Sequence, residues 1–259
     1  MNRTAFISFI ILLNSLLVIT SCSTIKTGEE KDNQVRILSY NVRNCRGMDN
    51  ITDYKRIGNV INRVAPDVVA IQELDSATQR NNGAVALHEL ATITNMFETY
   101  SPSIEYQGGK YGIGILTREK PLSWKAVSLP GREERRSLLI VELRNYIICC
   151  THLSLTEEDR VTSVDIIFNT VRDYTKPVFI AGDFNAVPES IPVKTMMKNW
   201  QVLNNPQVPT IPSDHPSKCI DYIFGSTFNG HTYKVMNSVV EQEPVASDHL
   251  PVWVDVQFH

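Results

Sequence analysis

The sequence predicts an α/β fold, two packed mixed β-sheets flanked by helices, in one large domain. Three observations carry this. The runs Val68–Ile71, Ile147–Cys150 and Val178–Ala181 are almost continuously apolar, and such strands must be covered on both faces. The runs 137–143 and 146–151 are separated only by Arg144 and Asn145, the spacing of an antiparallel hairpin. Helical periodicity interrupts the strands in three places, and strands of both kinds with a few helices around one core pack as sheets under helical outer layers.

In chain order, residues 1–21 are expected to be a removable signal. Arg3 supplies a positive start, and Ala5 to Ile19 are apolar except for Ser8, Asn14 and Ser15, too short and interrupted to span a bilayer. The stretch ends Leu17-Val-Ile-Thr-Ser-Cys22, which resembles a bacterial lipoprotein box and makes Cys22 the expected acylated first residue. An ordinary signal peptide with an incidental cysteine is the alternative. Residues 22–33 carry five charges and no apolar period, as a solvated tether of at most ~40 Å does. Residues 34–259 form the domain, expected to be a monomer at the bacterial cell envelope and held to the membrane by its acyl anchor.

Strands are expected at 35–41, 67–72, 111–117, 137–143, 146–151, 177–182, 219–224 and 250–258; Val252, Val254, Val256 and Phe258 of the last alternate at period two. Helices are expected around Ile57, Val60, Ile61 and Val64, stopped by Pro66; around Ala84 to Thr94; and around Val161, Val164, Phe168 and Val171 after the acidic start Glu157 to Asp159.

Charge and cysteine content narrow the function. The chain holds 25 basic and 28 acidic residues, and removing Arg3 with the signal leaves 24 against 28. A nuclease that grips a duplex usually presents a basic face, and the densest cluster, Arg132-Glu-Glu-Arg-Arg136, is diluted by its own acids. A nucleic-acid partner is therefore disfavoured. Cys45, Cys149, Cys150 and Cys219 show no framework spacing and no CxxC pair. Cys149 and Cys150 are neighbours on one strand, so they face opposite sides as small buried side chains.

The chemistry gathers at strand ends. Asn41, Glu73, His152 and Asp183 each close an apolar run, and Asn185 follows Asp183 by two. A carboxylate on a buried strand is costly unless paired or cation-bound. Glu73 and Asn41 offer the oxygen donors that suit Mg²⁺ or Mn²⁺, although a salt bridge or cap would also account for Glu73. In Gly182-Asp-Phe-Asn185, Asp183 can orient or deprotonate water and Asn185 can hold a phosphoryl oxygen, unless the segment is a plain Asx turn. Two Ser-Asp-His triplets occur. Ser213-Asp-His215 precedes Pro216 and reads as an exposed turn, whereas Ser247-Asp-His249 leads into the last strand. Asp221 is a buried acid that would suit an imidazole partner.

In order, Ser39-Tyr-Asn41-Val, Gln72-Glu73, Thr151-His152-Leu, Gly182-Asp-Phe-Asn185, Ile220-Asp-Tyr-Ile223 and Ser247-Asp-His249 resemble the motifs of the endonuclease/exonuclease/phosphatase superfamily. The resemblance spans Val35 to the C-terminus and implies a four-layer αββα sandwich that hydrolyses phosphoesters with a divalent metal. It implies Asn41 and Glu73 at the metal with Asp248 supporting, His152 and Asn185 at the phosphate, and Asp183 on the attacking water. His249, steered by Asp221, would be base or transition-state stabiliser. Which of Asp183 and His249 takes the proton is left open by it. Tyr111 and Arg136 resemble substrate-side positions. Thr-His152-Leu is similar to the sphingomyelinase and deadenylase side, and Arg43 stands where apurinic endonucleases carry an acid.

Overall fold

A computed structural model describes residues 33–259; the expected signal, Cys22 and the tether up to residue 32 lie outside the described residues. Two parallel pairs organise the chain. β1 (Gln34–Asn41) crosses through α1 (Tyr54–Val64) to β2 (Val68–Ser76), and β7 (Ile147–His152) crosses through α3 (Glu157–Val171) to β8 (Val178–Asp183). A parallel connection needs such a crossover, and the helix it contains covers one sheet face.

Each pair sits at the centre of a six-stranded sheet. β1 and β2 are flanked by antiparallel β12 (Val252–Phe258) and β4 (Gly109–Thr117), with β11 (Tyr233–Val240) and β3 (Phe97–Tyr106) at the edges. β7 and β8 are flanked by antiparallel β6 (Arg136–Glu142) and β10 (Asp221–Ser226), with β5 (Ser123–Leu129) and β9 (Trp200–Val202) outermost. The expected β6–β7 hairpin is present.

Three apolar clusters make four layers. Ile37, Ala70, Ile148, Phe179 and Val254 fill the space between the sheets. α1 and α2 (Ala86–Thr94) cover the first sheet through Ile57, Ile61, Leu87 and Leu90. α3 and the short α4 (Ile191–Met196) cover the second through Val164, Ile167, Val193 and Met196. Cys150 packs between the sheets and Cys149 under the helices, opposite faces of one strand as expected. All four cysteines among the described residues are free and buried. Among the described residues no helix is long and apolar enough to cross a membrane.

Four strands and one helix escape the sequence reading. The strands are β3, β5, β9 and β11, the four sheet edges. Edge strands are packed on fewer sides and carry polar residues and proline. β5 is exposed over most of its length, and β3 contains Pro102.

Candidate active site

The carboxyl ends of β1, β2, β7 and β8 lie on one rim, because both parallel pairs run the same way in facing sheets. Open α/β sheets bind ligands at such ends. β10 antiparallel to β8 sets Asp221 directly opposite Asp183, and β12 antiparallel to β1 brings the segment before it, with His249, to Asn41.

Asn41 is the hub. Its Nδ2 donates to Glu73 Oε1 at 2.9 Å and to Asp183 Oδ2 at 3.1 Å, and lies 3.5 Å from His249 Nε2. Its Oδ1 accepts from the Arg43 N–H. His249 Nδ1 is 3.0 Å from Asp221 Oδ2, which also accepts from Thr210 Oγ1 at 2.6 Å. The other imidazole nitrogen, Nε2, faces Asp183 Oδ2 at 3.7 Å, and His152 Nε2 approaches the same oxygen at 3.5 Å. Asn41, His152, Asp183, Thr210, Asp221 and His249 are buried, and Glu73 is half-buried.

Glu73 corrects one expectation. It does not end its strand; β2 continues to Ser76 through a register break between Ile71 and Leu74. Glu73 sits in that break with φ 61°, a left-handed conformation that a side chain adopts only at a cost. A bulge re-aims a side chain, and here it turns the carboxylate to Asn41 and away from the alternation of the sheet. Glu73→Gly is therefore expected to stabilise the fold by ~1 kcal/mol, read as a rise in Tm, even as it removes the carboxylate from the rim.

The remaining expected residues are nearby but differently occupied. Asn185, also at positive φ, donates its Nδ2 to the Leu153 carbonyl, and its N–H donates to Asp183 Oδ1, so it braces the loop under Asp183. Asp248 is partly exposed and 3.7 Å from Arg43 Nε, so the second position after Asn41 holds its cationic partner rather than an acid. The Tyr111 hydroxyl lies against Glu73, and burial with that neighbour raises its pKa. Arg136 is buried, bonded to Glu134 at 2.9 Å and Glu133 at 3.5 Å, with its Nε unpartnered.

The reading of Ser213-Asp-His215 as an exposed turn is half right. Asp214 and His215 are exposed, but Ser213 is buried. Its Oγ donates to the Ser247 carbonyl at 2.6 Å and its N–H to the Asp248 carbonyl at 2.8 Å, clamping the loop that carries His249. Ser247 Oγ in turn donates to the Asn41 carbonyl. Thr210, Ser213 and Ser247 hold the site, yet single hydroxyls in loops give no signal in a sequence.

Electrostatics follow from this packing. Burial raises the Asp183 carboxyl to about 7, and the Asp221 charge adds to it. For His249 burial works the other way, but the Asp221 charge and hydrogen bond outweigh it and lift the imidazole to about 10. Burial pushes His152 well below its usual value, with the Arg136 charge behind it, so His152 is neutral. Glu73 and Asp183 converge on one donor, the Asn41 amide, and this is where a cation fits. The carboxylates of Glu73, Asp183 and nearby Asp248 are hard oxygen donors of the kind Mg²⁺ or Mn²⁺ takes, and Asn41 would join them with its amide turned so that Oδ1, here on the Arg43 N–H, replaces Nδ2. Asp183, Asp221 and His249 also bring potential ligand atoms within 4.8 Å of one another; Asp221 Oδ2 is engaged by Thr210 and His249, and its buried Oδ1 has no partner.

The comparisons agree with this fold. Residues 38–249 match the model of the Endonuclease/Exonuclease/phosphatase family. No curated protein matches the chain. An endonuclease/exonuclease/phosphatase from Beutenbergia cavernae is similar with a TM-score of 0.73 at 22% identity, over 87% of this chain and 72% of that one. A mannosyl-6-phosphatase from Bacteroides thetaiotaomicron has a TM-score of 0.68 at 15% identity over 86% and 99%. The human Nocturnin catalytic domain with bound sulfate has 0.66 at 18% over 88% and 95%. The family model covers most of the domain and takes in every clustered rim residue, so the chain belongs to the Endonuclease/Exonuclease/phosphatase family.

Proposed function

We propose that this protein hydrolyses phosphoester bonds by in-line attack of an activated water, acting on a small or lipid-linked phosphoester as a phosphodiesterase or phosphatase at the bacterial envelope, tethered through acylated Cys22. Members of the family are phosphoester hydrolases, and the observation that supports the reading in this chain is the Asp221–His249–Asp183 line meeting Asn41 and Glu73 on one rim. Glu73, Asn41 and Asp248 would hold Mg²⁺ or Mn²⁺, which when bound offsets negative charge on the reacting phosphoryl group.

The side chains divide the rest. Asp221, fixed by Thr210, keeps the His249 Nδ1 proton in place and so directs Nε2 at the reacting phosphate. An imidazolium there stabilises charge developing on a phosphoryl oxygen. Asp183, with its carboxyl raised toward neutral pH, is matched to accept the proton of the attacking water. Neutral His152 donates a hydrogen bond to the phosphate without adding charge. Asn185 keeps Asp183 aimed, and its Oδ1 is free to orient the attacking water. Arg136 offers its unpartnered Nε, and Tyr111 its hydroxyl, on the substrate side. Arg136 and Arg132 are neutralised by Glu133, Glu134 and Asp159, so the rim lacks the run of free cations that a duplex backbone requires. The similar mannosyl-6-phosphatase is by name an enzyme of a small phosphoester.

The test is turnover with Mg²⁺ of bis-p-nitrophenyl phosphate, inositol phosphates, sphingomyelin and plasmid DNA. Hydrolysis of at least one small phosphoester, lost in Glu73→Ala, is the expected result. Silence on every phosphoester would overturn the reading, and efficient plasmid nicking that Glu73→Ala abolishes would replace it with a nuclease.

A further inference from the structure

We infer that the end of the sandwich opposite the catalytic rim is a membrane-docking face, seated on the bilayer that holds the acyl chains of Cys22, so that the rim points away from that bilayer. The inference rests on the anchored reading above and deepens it by naming the orientation and, through it, the substrate class.

Three large apolar side chains stand in solvent together at this end: Leu122 at 64%, Trp124 at 58% and Phe97 at 47% exposure. Single exposed apolar residues need no explanation. These cluster, however. Met96, Phe97, Pro121 and Trp124 line one shallow groove of about 550 Å³ with Lys120, and Leu122 lies between two of its lining residues. Contiguous apolar surface of this kind marks an interaction face.

Strand register gives its direction. Phe97 pairs with Thr117, Thr117 with Val68, and Val68 with Ile37. Trp124 pairs with Val141, level with Ile148 and Phe179 near the starts of β7 and β8. Asn41 lies four residues further along β1 than Ile37, ~13 Å by strand rise. His152 and Asp183 likewise leave from the far ends of β7 and β8. The groove therefore lies toward the amino ends of the parallel strands, on the edge strands β3 and β5, and the rim at their carboxyl ends.

The chain's own anchor selects the occupant. β1 begins at Gln34, on the same end as the groove and three strand positions from β3, ~14 Å at the usual spacing. The twelve residues Cys22 to Asn33 reach at most ~40 Å even when fully extended. Acyl chains at Cys22 would therefore leave the domain from the end that carries the groove, closer to it than to the rim. The face suits that surface: an exposed tryptophan with other large apolar side chains and a lysine beside it is the composition of a membrane–water boundary. Lys120 lines the groove and is exposed beside it, whereas Lys125, on the other face of β5, lies over the Tyr174 ring. With this face down, phosphates of the same leaflet are out of reach of Glu73 and His249. The substrate is then a water-soluble phosphoester rather than a headgroup of the membrane that carries the enzyme.

The experiment uses full-length acylated protein on vesicles of phosphatidylethanolamine and phosphatidylglycerol, with and without bromine on the acyl chains. Trp124 is one of three tryptophans, and Trp200 is buried. Brominated vesicles are expected to quench roughly one third of the emission, the share of a single interfacial tryptophan, and Trp124→Phe is expected to remove that quenching. Flotation with vesicles, abolished by Cys22→Ser, reads the anchor separately. Flotation without quenching of Trp124 overturns the docking face and leaves the anchor standing; failure to float overturns both. A dimer that Leu122→Ser/Trp124→Ser converts to monomer would assign the face to a second copy and overturn the inference. Hydrolysis of phosphatidylglycerol within the carrier vesicle would overturn the orientation.

Discussion

Replacing His249 with alanine is expected to lower kcat/KM for the best phosphoester substrate by ~10²–10⁴-fold, the usual contribution of a positioned acid–base side chain. The reason lies in its two nitrogens. Nδ1 is 3.0 Å from Asp221 and Nε2 faces Asp183 at 3.7 Å, so one ring links the buried acid to the reacting centre. Asp221→Asn keeps the volume of a side chain that is 1% exposed and is expected to cost less than His249→Ala. The double variant should be no worse than His249→Ala alone, because a residue that acts only through another adds nothing once that other is gone. Additive losses would mean that Asp221 contacts substrate independently. Unchanged turnover in His249→Ala would remove the imidazole from the mechanism.

The largest stability effect is expected at Phe179. It is fully buried in the layer between the sheets and meets Tyr146, Tyr233 and Phe258 edge-on at centroid distances of 5.6, 5.2 and 5.7 Å. Phe179→Ala leaves a void lined by three large rings that belong to separate strands and connections, and these cannot collapse together into it. A loss of ~3–5 kcal/mol is expected, measured as the shift of the urea midpoint at unchanged m-value. Phe179→Leu should recover most of it, since the replacement fills much of the space. The site lies at the other end of β8, so activity of the surviving folded fraction should be little changed. A loss below 1 kcal/mol would mean that the layers close over the void.

The contrast between these two residues shows where a sequence is legible. Phe179 belongs to Val178–Ala181, an unbroken apolar run that can only be a strand covered on both faces, and the central strands were all readable for that reason. The edges β3, β5, β9 and β11 were not. Each is paired on one side only, and solvent contact removes the apolar signature that pairing on both sides imposes. Six ordered motifs place the rim side chains on expected strands, but the sequence reads Glu73 as a strand end, whereas β2 runs on to Ser76. Its bulge depends on the register between β2 and β4, a property of two strands that neither sequence segment states alone. Ser213 reads as part of an exposed turn for a similar reason: the partner it clamps is 34 residues away.

The sequence by itself determined the class of fold, the identity of the rim residues and the chemistry open to them, because strand burial and motif order are written locally. Tertiary structure decided which nitrogen of His249 meets which acid, that Asn41 joins Glu73 to Asp183, and that Thr210 and Ser213 hold the loops in place. It also set the apolar groove at Phe97 and Trp124 opposite the rim and beside the start of β1. Those facts arise from contacts between segments distant in the chain, and their distances and directions exist only once the sheets have packed.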